Sequence, residues 1–116
     1  MLTFHAIVHA DPPGAPFNVT FEDVSAALAT FERLYIEPDG SFVWASSSGE
    51  PAWQLDGVLY DRDGRLQHID LKGACPAAAL DRLLAVLGWP ATRVQFELVR
   101  EGETLDETAF RRRFTP

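Results

Sequence analysis

Apolar and polar residues alternate along several short stretches of the chain, a pattern typical of half-buried β-strands. In residues 2–10, Phe4, Ala6 and Val8 share one side, because successive side chains of a strand point to opposite faces of a sheet. The same alternation recurs at three further places, namely on both sides of residues 38–40, on both sides of 62–64, and over 93–98. The pattern therefore predicts a structure built mostly from strands.

Residues 38–40 and 62–64 each contain an Asp-Gly pair, and each is predicted to be a three-residue hairpin loop. Such a loop ends in a residue with positive φ, which glycine adopts without a steric penalty, so Gly40 and Gly64 are expected to have positive φ. The two loops predict a meander of four antiparallel strands. Their lengths also set a register, which places these residues opposite each other: Leu34 and Trp44, Ile36 and Phe42, Leu55 and Leu71, Asp56 and Asp70.

Two segments have the apolar spacing of amphipathic helices, with matching start and stop signals. The first covers about residues 21–32 and follows the N-cap residue Thr20. The second lies between Pro76 in its first turn and Gly88 at its end. A short C-terminal helix is expected over about residues 105–112.

The predicted order of elements is β-α-β-β-β-β-α-β, followed by the short C-terminal helix. With 116 residues, of which 47% are hydrophobic, the chain is long enough to bury a core. These features predict one α+β domain over residues 1–116. Its architecture is expected to be a two-layer sandwich, in which two helices cover one face of a mostly antiparallel sheet.

Charge and composition narrow the classes of partner. The net charge is −7, and residues 1–60 hold eight acidic residues against Arg33 alone, which argues against a nucleic-acid partner. The chain has no apolar run of membrane-spanning length and no secretory signal pattern. Cys75 is the single cysteine, so it has no disulfide partner within the chain. We expect a cytoplasmic protein that needs no membrane, metal or cofactor.

The face of the sheet that the helices leave uncovered carries the candidate chemistry. In the predicted register Asp56 and Asp70 face each other, and His68 lies on the same side. Two close carboxylates and an imidazole are the groups of a general acid–base site. The alternative is an ordinary solvated sheet, in which the two carboxylates point apart. His5 and His9 lie about 13 Å apart along one strand, too far to hold one metal ion.

No catalytic motif occurs in the sequence, so the leading hypothesis is a small, acidic, non-enzymatic binding or regulatory module. The alternative is a small enzyme that uses Asp56, His68 and Asp70. Several apolar residues are expected on the uncovered face, which favours a homodimer or a complex with another protein. The expected interface residues are Val58, Tyr60 and Leu66, together with Ile7, Tyr35 and Val43.

Overall fold

The computed structural model describes residues 1–115, and within them the chain forms seven strands and three helices. These elements follow the order expected from the sequence, with one additional strand before the last helix. The elements are β1 Leu2–Ala10, α1 Phe21–Leu28, β2 Leu34–Ile36, β3 Ser41–Ala45, β4 Gln54–Arg62, β5 Arg65–Cys75, α2 Ala77–Val86, β6 Val94–Leu98, β7 Thr104–Asp106 and α3 Glu107–Phe114.

All seven strands form one antiparallel sheet in the order β2-β3-β4-β5-β1-β6-β7. The strand β1 therefore lies in the interior of the sheet, between β5 and β6. This arrangement confirms the predicted α+β class and the antiparallel sheet. The additional strand β7 is three residues long, too short for an alternating pattern to reveal it.

The helices cover one face of the sheet and bury their apolar sides against it. Val24 and Leu28 of α1 and Leu80 and Leu84 of α2 are buried. Phe110 of α3 stacks on Phe96 and meets Phe4 edge-on, with ring centroids 3.9 and 4.9 Å apart. The second layer thus consists of three helices, including the short C-terminal one.

The bounds of two helices differ from the prediction. The helix α1 ends at Leu28 rather than near residue 32, and residues 29–32 continue as turns. The helix α3 begins at Glu107 rather than near residue 105, because Asp106 is its N-cap and its carboxylate accepts from Ala109 N at 2.7 Å. Thr104 belongs to β7.

The β2–β3 hairpin has the predicted register. Leu34 faces Trp44 and Ile36 faces Phe42. The φ of Gly40 is 93°, as a three-residue loop requires. The turn and the apolar pattern therefore agree in this hairpin.

The β4–β5 hairpin has a different register from the predicted one. Its loop has two residues, Asp63 and Gly64, with φ of 54° and 81°, and Arg62 faces Arg65. Positive φ at both loop residues is typical of a type I′ turn, whose twist matches that of the flanking strands. Aspartate tolerates this conformation. The pairing is also shifted between Tyr60 and Asp61 by a β-bulge.

Because of this shift, Leu55 faces Gly73 rather than Leu71, and Asp56 faces Lys72 rather than Asp70. The bulge also turns Leu66 into the core, where it is fully buried. Its backbone N–H donates to Val19 O, and its carbonyl accepts from Phe17 N. These two bonds tie the segment before α1 to the start of β5.

Candidate binding surface

We call the sheet face opposite the helices the open face, because no helix of residues 1–115 covers it. Core-facing side chains alternate with those of the open face along β1, β3 and β6 and over most of β4. Its main side chains come from six strands: Tyr35, Val43, Asp56, Val58, Tyr60, His68, Asp70, Lys72, His5, Ile7, His9, Gln95 and Glu97.

The strand register arranges these side chains in three rows that run across the sheet. The first row is Tyr60, His68, His9 and Gln95. The second row is Ser41, Val58, Asp70, Ile7 and Glu97. The third row is Tyr35, Val43, Asp56, Lys72 and His5.

The first row begins with a stack of rings. The Tyr60 and His68 rings are stacked with centroids 4.7 Å apart and planes inclined by 23°. On the other side of His68, the His9 ring lies 5.6 Å away. Stacked rings of this kind present a flat, weakly polar surface to a partner.

The carboxylates of the open face each have a neighbour that can compensate their charge. His5 Nε2 lies 2.9 Å from Asp70 Oδ1, and His9 Nε2 lies 2.8 Å from Glu97 Oε1. Asp56 faces Lys72 across β4 and β5 and accepts from Gln54 Nε2 at 2.9 Å. Opposite charges facing each other across strands stabilise the pairing.

His68 differs from the other two histidines, because no carboxylate within residues 1–115 forms an ion pair with its ring. Burial is the main cause that lowers the pKa of His68, and the neighbouring His9 lowers it further. Asp70 and Glu97 act in the opposite direction but do not prevail. The neutral imidazole is therefore the favoured form of His68 near pH 7.

The structure separates the two carboxylates proposed as an acid–base pair. The expected facing of Asp56 and Asp70 is wrong, since Asp70 faces Val58 and contacts His5. No group of three metal-ligating side chains occurs within residues 1–115. A catalytic role for Asp56, His68 and Asp70 remains a prediction, but it has lost the paired carboxylates on which it was based.

The structure places Val58 and Tyr60 on the open face, whereas the expected position of Leu66 there is wrong. The apolar side chains of the face adjoin one another because the strands that carry them are neighbours. Tyr35 and Val43 are paired and are 68% and 41% exposed. Val58 lies diagonally beside Val43 and next to Tyr60, which is 44% exposed. Together these side chains form a continuous apolar strip.

The contacts of His5 and His9 were not predicted. Alternation along β1 does place both residues on the side opposite the core. Their partners Asp70 and Glu97 come from β5 and β6, however, and pairing between such distant segments leaves no local signal in the sequence.

A cleft of about 490 Å³ opens where β6, β7 and α3 meet, away from Asp56, His68 and Asp70. Four of its polar side chains bond in pairs: Gln95 Nε2 donates to Asp11 Oδ1 at 3.1 Å, and Trp89 Nε1 donates to Glu107 Oε1 at 3.2 Å.

Cys75 is also removed from any surface chemistry. It is fully buried, and burial raises the pKa of its thiol to about 11. The thiol therefore stays protonated near neutral pH and is a poor nucleophile.

The chain matches no protein-family model, and comparisons with curated proteins and with solved structures find no match. Within residues 1–115, the three helices are too short or too polar to traverse a lipid bilayer.

Proposed function

We propose that this protein is a small acidic binding module that pairs with a second copy of itself through the open face. The observation that carries the proposal is the continuous strip formed by Tyr35, Val43, Val58 and Tyr60, which leads into the stacked ring of His68. A solvated antiparallel face is normally polar. Adjoining exposed apolar side chains are common where proteins bind one another.

The size of the open face suits a dimer. The side chains of the three rows are spaced at about 4.8 Å from strand to strand and about 6.8 Å along a strand, so together they cover about 450 Å² on each copy. Packing two such faces together buries about 900 Å² in total. That area is below the range of about 1,200–2,000 Å² for stable complexes and suits a weak, reversible dimer.

The sheet edges favour association by the face over association by strand addition. Both edge strands, β2 and β7, have only three residues. Short edge strands offer few unpaired backbone groups to an incoming strand. The open face is therefore the larger surface available to a partner.

The charges on the open face favour a second copy over a strongly charged partner. Its carboxylates lie beside His5, His9 or Lys72 on the same face. Carboxylates that already contact or face side chains of their own chain are less available to a cationic partner. Two identical faces related by a two-fold axis are the commonest way to cover such a surface.

Replacing Val58 with Arg tests the proposal. The charged side chain would enter the middle of the strip, where a partner would remove it from water at a large cost. We expect the dissociation constant of the dimer, measured by sedimentation velocity across micromolar concentrations, to rise about tenfold or more.

The matched control is Ala85→Arg, which adds the same charge at an exposed position of α2 on the helical side of the molecule. This variant should remain dimeric, and both variants should keep the far-ultraviolet circular dichroism of the wild type. The proposal is wrong if the wild type is monomeric at these concentrations. In that case a different protein would be the candidate partner of the open face. It is equally wrong if Val58→Arg associates like the wild type.

A further inference from the structure

His68 occupies a distinctive place on the open face. It lies in the first row between Tyr60 of β4 and His9 of β1. The two acids that act on the charge of its ring, Asp70 on β5 and Glu97 on β6, already contact His5 and His9. A proton on His68 would therefore create a cation without a carboxylate partner of its own.

We infer that protonation of His68 releases the dimer, so that the open faces pair when this imidazole is neutral and separate when it is charged. The inference rests on the proposed function, because it concerns the same surface. A partner lying over the first row would remove the remaining water from His68. Removing water from an unpaired imidazolium is far costlier than removing it from a neutral ring.

The direction of the pH dependence follows from proton binding. In the separate chain, burial against its neighbours already lowers the pKa of His68. Burial by the partner would lower that pKa further, so the dimer binds fewer protons than two separate chains do. Association should therefore weaken as the pH falls through the pKa of His68 in the separate chain.

Each dimer contains two copies of His68, which sets an upper limit on the effect. If both protons must leave for association to occur, the dissociation constant rises by at most about a hundredfold for each pH unit below that pKa. The two other histidines of the chain, His5 and His9, lie on the same face and contact Asp70 and Glu97. The contribution of His68 must therefore be isolated by comparison with a variant that lacks only this proton.

His68→Phe is that variant, because phenylalanine keeps a ring that stacks on Tyr60 and carries no titratable group. Dissociation constants of wild type and His68→Phe would be measured by sedimentation equilibrium from pH 5 to pH 8. We expect their ratio, wild type over variant, to be near one at pH 8 and to exceed ten at pH 5.

His5→Gln serves as the control, since its amide keeps a donor for Asp70 and removes a different imidazole of the open face. The ratio of dissociation constants, His5→Gln over His68→Phe, should rise between pH 8 and pH 5 as the wild-type ratio does. The titration of His68 in wild type diluted to the monomer, followed by NMR of its imidazole resonances, should give a pKa below the ordinary value of about 6.5.

The outcomes separate the two proposals. If the wild type dimerises but the ratio of its dissociation constant to that of His68→Phe does not change with pH, the role of His68 is wrong and the dimer still stands. A pKa of His68 above the ordinary value in the wild-type monomer would also overturn it. A wild type that is monomeric from pH 5 to pH 8 would overturn both proposals.

Discussion

Phe42 lies directly over the backbone of Gly57, the residue that faces it on β4. A Cβ atom added at Gly57 would lie 2.1 Å from Phe42 Cζ, so the ring occupies the space that any other residue would need. Phe42 is only 3% exposed as a result. At this position the glycine is required by the packing of its neighbour rather than by its own backbone angle.

The glycines of the two Asp-Gly turns should respond differently to the same substitution. Both have positive φ, 93° at Gly40 and 81° at Gly64, so alanine strains the backbone by about 1 kcal/mol at either position. A Cβ at Gly40 would also lie 2.8 Å from Leu59 O, whereas at Gly64 it would meet no atom within 4 Å. We expect Gly40→Ala to lower the free energy of unfolding by at least about 1 kcal/mol more than Gly64→Ala.

Urea denaturation of the two variants measures this difference directly. The variants serve as controls for each other, since both carry the same chemical change in a hairpin turn. Equal losses would show that the contact of Gly40 with Leu59 has no energetic weight.

At the scale of elements, α2 packs one side against the core. Leu84 is fully buried on its inner side, and Ala85 beside it is exposed. We expect Leu84→Ala to reduce the free energy of unfolding by about 2–5 kcal/mol, through lost burial and the cavity left behind. Ala85→Gly, the control, should cost about 1 kcal/mol through helix propensity alone. A loss below about 0.5 kcal/mol for Leu84→Ala, measured by chemical denaturation, would contradict the placement of α2 on the core.

Elements with strong local signals were predicted well from the sequence. The strand β1 shows strict alternation, and α2 lies between Pro76 and Gly88. In the β2–β3 hairpin, the loop length and the apolar pairs specify one register. Each of these features depends on residues close together in the chain, where propensity and periodicity act directly.

The β4–β5 register could not be chosen from the sequence by the same means. A two-residue loop with a bulge moves each partner by two positions, from Asp70 to Lys72 opposite Asp56. Strand side chains alternate with a period of two, so a shift by two positions does not change the face on which a side chain lies. This applies to residues 55–60 of β4 and 68–73 of β5, on the side of the bulge away from the turn. The apolar pattern is therefore equally satisfied by both registers. Only the bulge turns Leu66 inward, and that change depends on contacts with residues 17–19.

For the candidate surface, the face on which each residue lies could be predicted from the sequence, whereas the neighbours of each residue could not. Alternation placed Val58, Tyr60 and His68 on the uncovered face, as the structure does. The neighbours of His68 depend on strand order, since His9 meets it only because β1 lies beside β5. The order of strands in the sheet is set by the packing of the whole core rather than by any local segment.

At the scale of the whole molecule, the net charge of −7 opposes the approach of two copies. Much of this charge lies outside the open face, so salt should screen the repulsion without removing contacts across the interface. We expect the dissociation constant of the proposed dimer to fall severalfold between about 20 and 300 mM sodium chloride at pH 8. Sedimentation equilibrium measures the change, and Ala85→Arg should show a smaller one because it carries less net charge. A dimer that weakens with salt would instead indicate ion pairs between the copies.

The interior position of β1 has a consequence for the order in which the chain folds. The hairpins β2–β3 and β4–β5 close over loops of two or three residues, whereas Leu2 pairs with Cys75 at the far end of β5. Closing so long a loop costs conformational entropy before any new contact compensates for that loss, and this cost slows folding. We therefore expect β1 to join a partly assembled sheet late, after β5 has formed. Until then, the edge of β5 that β1 will occupy is open to other chains, which makes this interval the one most exposed to misassembly.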